Sequence, residues 1–203
     1  MRSGAETEIK LTLIRHGAAK SNLERRYLGI TDEALSDEGI QHLKRGKENG
    51  RYPVAEKVFS GPMLRCRQSA EILFPDLEVC VIPEWTEINF GSFEGKNYKE
   101  LEKDADYQKW IDSGGKIPFP GGESRDDLIE RTMRGFEKML SEIHNDASMM
   151  EIAALVHGGT IMALCSSLFG GEYFDYQVGC GEGFVCYLRD TKRGVRGLEI
   201  RKI

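Results

Sequence analysis

Two short apolar runs in this sequence each end in a histidine that is followed by glycine. Residues 9–15 (IKLTLIR) lead into His16, and residues 151–156 (EIAALV) lead into His157. An apolar, β-rich run closed by a glycine turn is typical of a buried strand. In open α/β sheets, ligands bind beyond the carboxyl ends of the strands, so two histidines at that edge predict a functional site.

The segments around these runs alternate between strand and helix patterns. Ser36 is an N-cap signal, Gly50 a stop signal and Pro62 a helix start, while Ser124 and Asp127 form a capping box. The alternation predicts an α/β fold, a three-layer α/β/α sandwich around a mostly parallel sheet. The predicted strands are residues 9–15, 57–60, 79–82, 151–156, 184–188 and 198–203, and the predicted helices, counted from their caps, are residues 36–49, 62–73, 124–145 and 159–168.

Length and charge narrow the class of protein. A chain of 203 residues fits one domain, residues 1–203, with an insertion at about 91–122 that is expected to form a substrate wall. The 28 basic and 33 acidic residues give a net charge of −5, which argues against a nucleic-acid partner.

No apolar run approaches the roughly 20 residues of a membrane span, and the N-terminus lacks the apolar centre of a secretory signal. We therefore expect no membrane partner and a cytoplasmic location.

The cysteines indicate neither a disulfide framework nor a zinc site. There are five of them, an odd number, irregularly spaced and without a C-x-x-C pair. We interpret them as reduced thiols that are mostly buried.

The residues beside the two histidines indicate an anionic ligand. A helix that follows His157 would present free N–H groups and its positive dipole end to the ligand. Arg15 adjoins His16 and supplies a permanently charged fork of donors for phosphate oxygens. Each following glycine is expected to leave the imidazole uncovered and open to a ligand. His42 and His144, within polar helical stretches, are interpreted as histidines without a functional role.

Longer motifs carry a resemblance to a known family. The motifs are I-R-H-G (14–17), Asn22, R-R-Y-L-G-I-T-D (25–32), L-S-D-E-G (35–39), S-G-P-M-L-R-C-R-Q-S-A (60–70), E-I-N-F-G-S-F-E-G (87–95), P-G-G-E-S (120–124) and L-V-H-G-G-T-I (155–161). In this order and over nearly the whole chain they are highly specific, and the chain resembles the phosphoglycerate mutase-like branch of the histidine phosphatase superfamily.

The resemblance implies that His16 is a nucleophile that forms a phosphohistidine. A loose phosphoryl transition state spreads charge over its equatorial oxygens, so two arginines and a protonated second histidine would act through preorganised electrostatics. No metal or cofactor is implied. The other residues that it places at the phosphoryl group or the substrate are Arg15, Arg65, His157, Asn22, Gly29 and Gly158.

Glu87 corresponds to the family's glutamate that protonates the leaving oxygen and later activates water. A carboxyl crowded toward a phosphate is expected to have a raised pKa, which suits a general acid near neutral pH. Glu84 and Glu94 are rival candidates for this role. Glu87 is preferred because its spacing to the glycines at 91 and 95 fits the family pattern.

The sequence departs from the family at Ala18 and Ala19, where members commonly carry a glutamate and a hydroxyl residue. Some orienting hydrogen bonds are expected to be lost there, with Lys20 or Ser21 as candidates to face the pocket instead.

The short chain favours hydrolysis over mutase chemistry, because it lacks the extra substrate-closing sequence of the cofactor-dependent mutases. We therefore predict a metal-independent hydrolase of a small phosphomonoester, similar to α-ribazole phosphatases and broad-specificity phosphatases. A phosphoglycerate mutase-type phosphotransferase and a catalytically weak phospho-ligand binding module are the alternatives. The predicted wall is rich in aromatic residues that either contact the substrate or form a packed cap, namely Tyr98, Tyr107, Trp110 and Phe119.

Overall fold

A six-stranded sheet forms the centre of the chain. The computed structural model describes residues 7–143, 150–191 and 194–203. Its strands are β1 (Thr7–Arg15), β2 (Lys57–Ser60), β3 (Val79–Val81), β4 (Met150–Val156), β5 (Gly183–Thr191) and β6 (Gly194–Lys202). All six predicted strands are present. β5 and β6 are longer than predicted because they pair with each other along most of their length.

The strand order is β3-β2-β4-β1-β5-β6. The first four strands run parallel to one another, whereas β5 is antiparallel to β1 and to β6. The sheet is therefore mostly parallel, as predicted. Because β1 and β4 are parallel neighbours, their carboxyl ends meet at the same edge of the sheet.

Helices cover both faces of the sheet, which confirms the predicted α/β/α sandwich. The helices are α1 (Lys20–Leu23), α2 (Asp37–Glu48), α3 (Leu64–Leu73), α4 (Tyr98–Leu101), α5 (Ala105–Asp112), α6 (Arg125–Ile143) and α7 (Gly158–Phe169). Successive residues of β1 point to opposite faces. Ile14 packs in the apolar cluster that contains Leu43 of α2, and Leu13 packs in the cluster that contains Phe136 of α6 and Leu164 of α7.

The helix caps follow the sequence signals with one correction. The Ser36 hydroxyl accepts from the Gly39 amide at 3.0 Å, and Ser124 and Asp127 bond reciprocally as a capping box. The prediction that α3 begins at Pro62 is wrong, since α3 begins at Leu64. The Leu64 amide donates to the Asp32 carboxylate at 2.7 Å, so the start is capped by a residue distant in sequence.

The predicted end of α6 near residue 145, and His144 itself, lie outside the described residues. Within the described ranges, no helix has the length and apolar composition needed to cross a membrane.

The segment 91–122 contains α4, α5 and the short 3-10 helix Gly91–Phe93. Its apolar side chains form a third cluster, in which Phe93, Leu101 and Phe119 pack with Leu128 of α6. This cluster fixes the segment against the helix that follows it. That the whole chain is one domain with this segment as an insertion stays a prediction.

Candidate active site

β1 and β4 each end immediately before one of the predicted site histidines. Arg15 pairs with Val156 in the parallel register, and the His16 amide donates to the Val156 carbonyl at 2.9 Å. The rings of His16 and His157 consequently lie edge to face, with centroids 5.1 Å apart. The structure thus brings together the two histidines that the strand pattern placed at one edge.

Both imidazoles are buried, so the expectation that glycine leaves them uncovered is wrong. The exposed fraction is 2% for His16 and 0% for His157. Gly17 instead permits close packing, because a Cβ on it would lie 2.8 Å from Leu43 Cδ1 of α2. The glycine after His16 therefore lets a helix approach the strand end.

The hydrogen bonds of His16 fix its tautomer. Nδ1 lies 2.7 Å from the Gly17 carbonyl oxygen, which can only accept, so Nδ1 carries the hydrogen. Nε2 then holds the lone pair and accepts from Arg65 Nε at 3.3 Å. A neutral imidazole with its lone pair on Nε2 has the form that a nitrogen nucleophile needs.

The surroundings of both histidines favour this neutral form. Burial lowers the pKa of His16 well below its usual value, and the charges of Arg65 and Arg15 lower it further. Burial also lowers the pKa of His157, with His16 and the two arginines as additional causes. The implied protonation of His157 is therefore disfavoured in this structure.

Arg65 is a fully buried cation whose partners are uncharged. Its Nη1 and Nη2 donate to the carbonyls of Thr31 at 2.9 Å and Gly29 at 2.8 Å, and its Nε donates to His16. Among the described residues, no carboxylate lies within 4 Å of its guanidinium. A buried charge is costly unless it is paired, so this position is suited to an anionic ligand.

Arg15 adds a second guanidinium with spare donor capacity. Its Nη1 donates to the Val178 carbonyl at 2.8 Å, while its Nε is buried without a hydrogen-bond partner. Gly158 lies beside it, since a Cβ on that residue would stand 3.6 Å from Arg15 Cζ. Two arginines with unused donors thus face the region of the histidines.

Glu87 is the acidic residue that the structure brings to this cluster. It is 7% exposed, and its Oε1 accepts from the Ile88 amide at 2.9 Å and its Oε2 from the Gly159 amide at 3.4 Å. Burial raises its pKa, and the two backbone amides and the arginines lower it in part. The direction agrees with the predicted raised pKa, but the main cause is loss of water. Gly159 is required here, because a Cβ on it would lie 2.4 Å from Glu87 Oε1.

The two rival glutamates are engaged elsewhere. Glu84 forms an ion pair with Lys138 of α6, which holds the pKa of that carboxyl below its usual range. Glu94 Oε1 accepts from the amides of Gly29 at 2.8 Å and Thr31 at 3.0 Å. Glu94 therefore binds the backbone amides of the loop at residues 29–31, and Arg65 binds backbone carbonyls of the same loop.

Replacing Glu94 with glutamine is expected to loosen this loop. A neutral amide oxygen accepts hydrogen bonds more weakly than a carboxylate, so the free energy of unfolding should fall by about 1–2 kcal/mol. Urea denaturation measures the change, with Glu71→Gln on the exposed side of α3 as the matched control. Equal stability of the two variants would show that the contact to the loop contributes nothing.

Asn22, Lys20 and Ser21 each have a partner within their own region of the chain. Asn22 Oδ1 accepts from the Ala19 amide at the start of α1, at 3.0 Å, and its Nδ2 group stays available as a donor. Lys20 is exposed and lies 3.8 Å from Glu24, so it does not turn inward. Ser21 donates instead to the carboxylate of Glu33.

Gly29 contributes its carbonyl to Arg65, and its lack of a side chain is needed. A Cβ on Gly29 would lie 2.2 Å from the Ile88 carbonyl oxygen. The glycine thus allows the loop to pack against the segment that carries Glu87.

A cavity of about 330 Å³ opens beside the cluster. Arg15, Glu87 and Gly158 form one part of its lining. From the predicted wall, Trp110 and Phe119 also line it. The other two aromatic residues of the wall do not: Tyr98 is exposed, and Tyr107 is buried within the third apolar cluster.

Sequence reasoning missed several residues at this site. Cys66 Sγ lies 3.4 Å from His157 Nε2, and the Gly17 amide donates to Ser69 Oγ at 2.9 Å. Both residues lie in the 60–70 motif, which is the signal that could have identified them. Arg125 and Tyr173 line the cavity without any such motif.

Across residues 7–143, 150–191 and 194–203, no three His, Cys, Asp or Glu side chains are grouped in a way that could hold a metal ion.

Comparison with known proteins identifies the family of this chain. A sequence profile of the histidine phosphatase superfamily (branch 1) matches residues 11–186. Phosphoserine phosphatase 1 of Hydrogenobacter thermophilus is 28% identical over 166 residues, which cover 80% of this chain and 77% of that protein.

Solved structures show the same fold. A phosphoserine phosphatase of Entamoeba histolytica, in complex with phosphoserine, is 25% identical with a TM-score of 0.75, covering 95% of this chain and 96% of that one. A putative α-ribazole-5'-P phosphatase of Escherichia coli is 22% identical with a TM-score of 0.78, covering 95% and 96%.

Proposed function

The chain belongs to the histidine phosphatase superfamily (branch 1), and from this premise we propose that it hydrolyses a small phosphomonoester through a phosphohistidine at His16. The observation that carries the proposal is the pairing of a neutral imidazole with two arginines that lack anionic partners among the described residues. A phosphoryl group supplies the missing negative charge and the electrophile together.

In the first step His16 Nε2 attacks phosphorus, an N–P bond forms, and the P–O bond to the alcohol breaks. Arg65 must release the lone pair of His16 and donate to a phosphoryl oxygen instead. The weak 3.3 Å contact makes this exchange inexpensive. Glu87, held protonated by its raised pKa, gives its proton to the departing oxygen.

In the second step water attacks the phosphohistidine. Glu87, now a carboxylate, accepts a proton from that water, the N–P bond breaks, and inorganic phosphate leaves. His16 regains its lone pair and Glu87 its proton, so the enzyme returns to its starting state.

His157 and the arginines stabilise the charge on the equatorial phosphoryl oxygens. Burial lowers the pKa of His157 in the protein alone, whereas a dianion beside the ring favours the imidazolium. His157 therefore becomes a cation together with substrate binding. Asn22 can take its implied role as a further phosphoryl contact through its Nδ2 group, because the bond from the Ala19 amide occupies only its Oδ1.

Hydrolysis is favoured over phosphate transfer between hydroxyls because the chain lacks the substrate-closing sequence of the mutases. Similarity to relatives does not separate the two reactions, since a phosphoserine phosphatase and a 2,3-bisphosphoglycerate-dependent phosphoglycerate mutase are both 28% identical to this chain. α-Ribazole phosphate is a candidate substrate from the sequence resemblance.

The test is a panel of phosphomonoesters assayed in the presence of a chelator. It contains phosphoserine, α-ribazole phosphate, 3-phosphoglycerate and nucleotides, with His16→Ala as the matched inactive control. We expect release of inorganic phosphate from at least one ester at a rate that the chelator does not change. Loss of turnover with rescue by one divalent ion would contradict metal independence. Isomerisation of 3-phosphoglycerate without phosphate release would identify a mutase, and binding without either reaction would identify a binding module.

A further inference from the structure

Among the described residues, the cavity has one cation that is neither paired with a carboxylate nor used in the proposed phosphoryl chemistry. Three arginines line it: Arg15, Arg26 and Arg125. Arg26 is already neutralised, since it contacts Glu24 at 2.7 Å and Glu100 at 2.6 Å. Arg125, by contrast, has neither a carboxylate within 4 Å nor a hydrogen bond from its side chain within the described ranges of the chain.

Arg125 also lies where a helix disfavours a positive charge. It is the first residue of α6, next to the positive end of the helix dipole. The cap of this helix is made by Ser124 and Asp127, so Arg125 has no part in it. A positive charge at this position does not stabilise the helix.

Tyr173 connects Arg125 to the catalytic cluster. The Arg125 guanidinium lies over the Tyr173 ring, 5.5 Å from the centroid, in a cation–π contact. The hydroxyl of Tyr173 donates to the Gly159 carbonyl at 3.4 Å, and the Gly159 amide in turn donates to Glu87. The Tyr173 side chain therefore lies between Glu87, the proposed acid, and Arg125.

Six aromatic residues contribute to the rest of the cavity wall. Trp110 stacks on Phe119 with centroids 4.8 Å apart. Gly115, at a φ of 69°, lets Trp110 and Phe174 approach, because a Cβ there would lie 3.2 Å and 3.4 Å from them. Ligand pockets are commonly lined by apolar and aromatic side chains with a few placed polar groups, and an aromatic side chain can stack on a planar ring of a ligand. The aromatic residues that line the cavity are Tyr27, Phe90, Trp110, Phe119, Tyr173 and Phe174.

We propose that the substrate is a phosphomonoester whose alcohol part joins a planar ring to a carboxylate, and that Arg125 binds the carboxylate. The inference rests on the function proposed above. Charge balance favours a carboxylate over a second phosphate. The single charge of Arg125 neutralises a monoanion but not a phosphate dianion, and among the described residues the cavity has no other unpaired cation beyond the phosphoryl cluster.

Two synthetic esters isolate the charge of the carboxylate. 4-Carboxybenzyl phosphate and 4-carbamoylbenzyl phosphate have nearly the same shape, and the methylene group separates the substituent from the leaving oxygen. We expect kcat/KM to favour the carboxylate by about tenfold, the size of a charge-assisted hydrogen bond. The ratio should fall toward one in Arg125→Gln and be partly kept in Arg125→Lys.

The control is Arg134→Gln, which removes an exposed guanidinium from the same helix and should keep the parent ratio. A kcat/KM ratio of one for the two esters in the parent, or a ratio that Arg125→Gln does not change, would overturn the role of Arg125. If the esters are hydrolysed, the proposed function still stands. Failure of the parent to hydrolyse any ester, with no phosphohistidine formed, would overturn the proposed function instead.

3-Phosphoglycerate tests the ring, since it carries a carboxylate without one. We expect its kcat/KM to lie below that of 4-carboxybenzyl phosphate. An equal or higher value would overturn the part that the aromatic wall plays in the proposal.

Discussion

His16→Ala is expected to lower kcat/KM for every phosphomonoester by roughly 10³-fold or more, because it removes the atom that forms the covalent intermediate. Steady-state release of inorganic phosphate measures the loss. Residual turnover of more than a few per cent of the parent rate would contradict the assignment of the nucleophile.

The burial of His16 requires a folding control for this variant. Its ring is 2% exposed, so alanine leaves a cavity beside Arg65 and His157. His16→Asn keeps a donor for the Gly17 carbonyl and should be equally inactive with a smaller loss of stability. His42→Ala, on α2 and away from the cavity lining, should retain activity.

Glu87→Gln is expected to slow an alkyl phosphate far more than an activated aryl phosphate. General acid catalysis is commonly worth about 10²–10⁴ in rate, and an aryl oxide that leaves as an anion needs little of it. The comparison is kcat/KM for benzyl phosphate against 4-nitrophenyl phosphate. Equal losses for both esters would point to electrostatic positioning by Glu87 rather than proton transfer.

Matched variants locate the acid. Glu84→Gln and Glu94→Gln remove carboxylates that are bound to Lys138 and to the loop at 29–31. Neither should change the ratio of the two esters. A selective loss in either variant would move the acid to that residue.

The pH profile gives an independent readout of Glu87. Burial raises its pKa, and the protonated form is the acid, so hydrolysis of benzyl phosphate should fall as the pH rises through that raised value. Glu87→Gln should lack this descending limb. The ionisation of the substrate phosphate affects parent and variant alike, so their difference isolates Glu87.

The raised pKa of Glu87 also makes the free energy of unfolding depend on pH, in a direction that can be predicted. A folded-state pKa above the unfolded value means that the folded protein binds the proton more tightly, so this contribution is present below the unfolded pKa and is lost as the pH rises through the folded one. Glu87→Gln should therefore resist urea better than the parent at pH 8.

The inner strands β1, β2 and β4 could be predicted from the sequence because they are short apolar runs with clear ends, whereas β5 and β6 extend beyond their predicted bounds through pairing with each other. β2 has the predicted bounds, and both histidines follow β1 and β4 as expected. The start of α3 could not be predicted, since Asp32 caps it from a loop that is remote in sequence.

The sequence motifs indicated which residues form the candidate site, but not how deeply those residues are buried. Motif order indicated His16, Arg65 and Glu87, whereas burial of the imidazoles depends on the approach of α2 over Gly17. Arg125 could not be identified as a ligand-binding candidate from the sequence. The proposal depends on its having no carboxylate partner among the described residues, and only the structure shows which groups surround its side chain.

Trapping the phosphorylated enzyme shows whether His16 is the nucleophile. The parent is mixed with excess 4-nitrophenyl phosphate, quenched within milliseconds in alkali, which preserves N–P bonds, and digested for mass spectrometry. We predict phosphate on the peptide that contains His16, lost on brief acid treatment and absent from His16→Ala. Phosphate on His157, a serine or a cysteine, or full turnover by a variant without His16, would rule out His16 as the nucleophile.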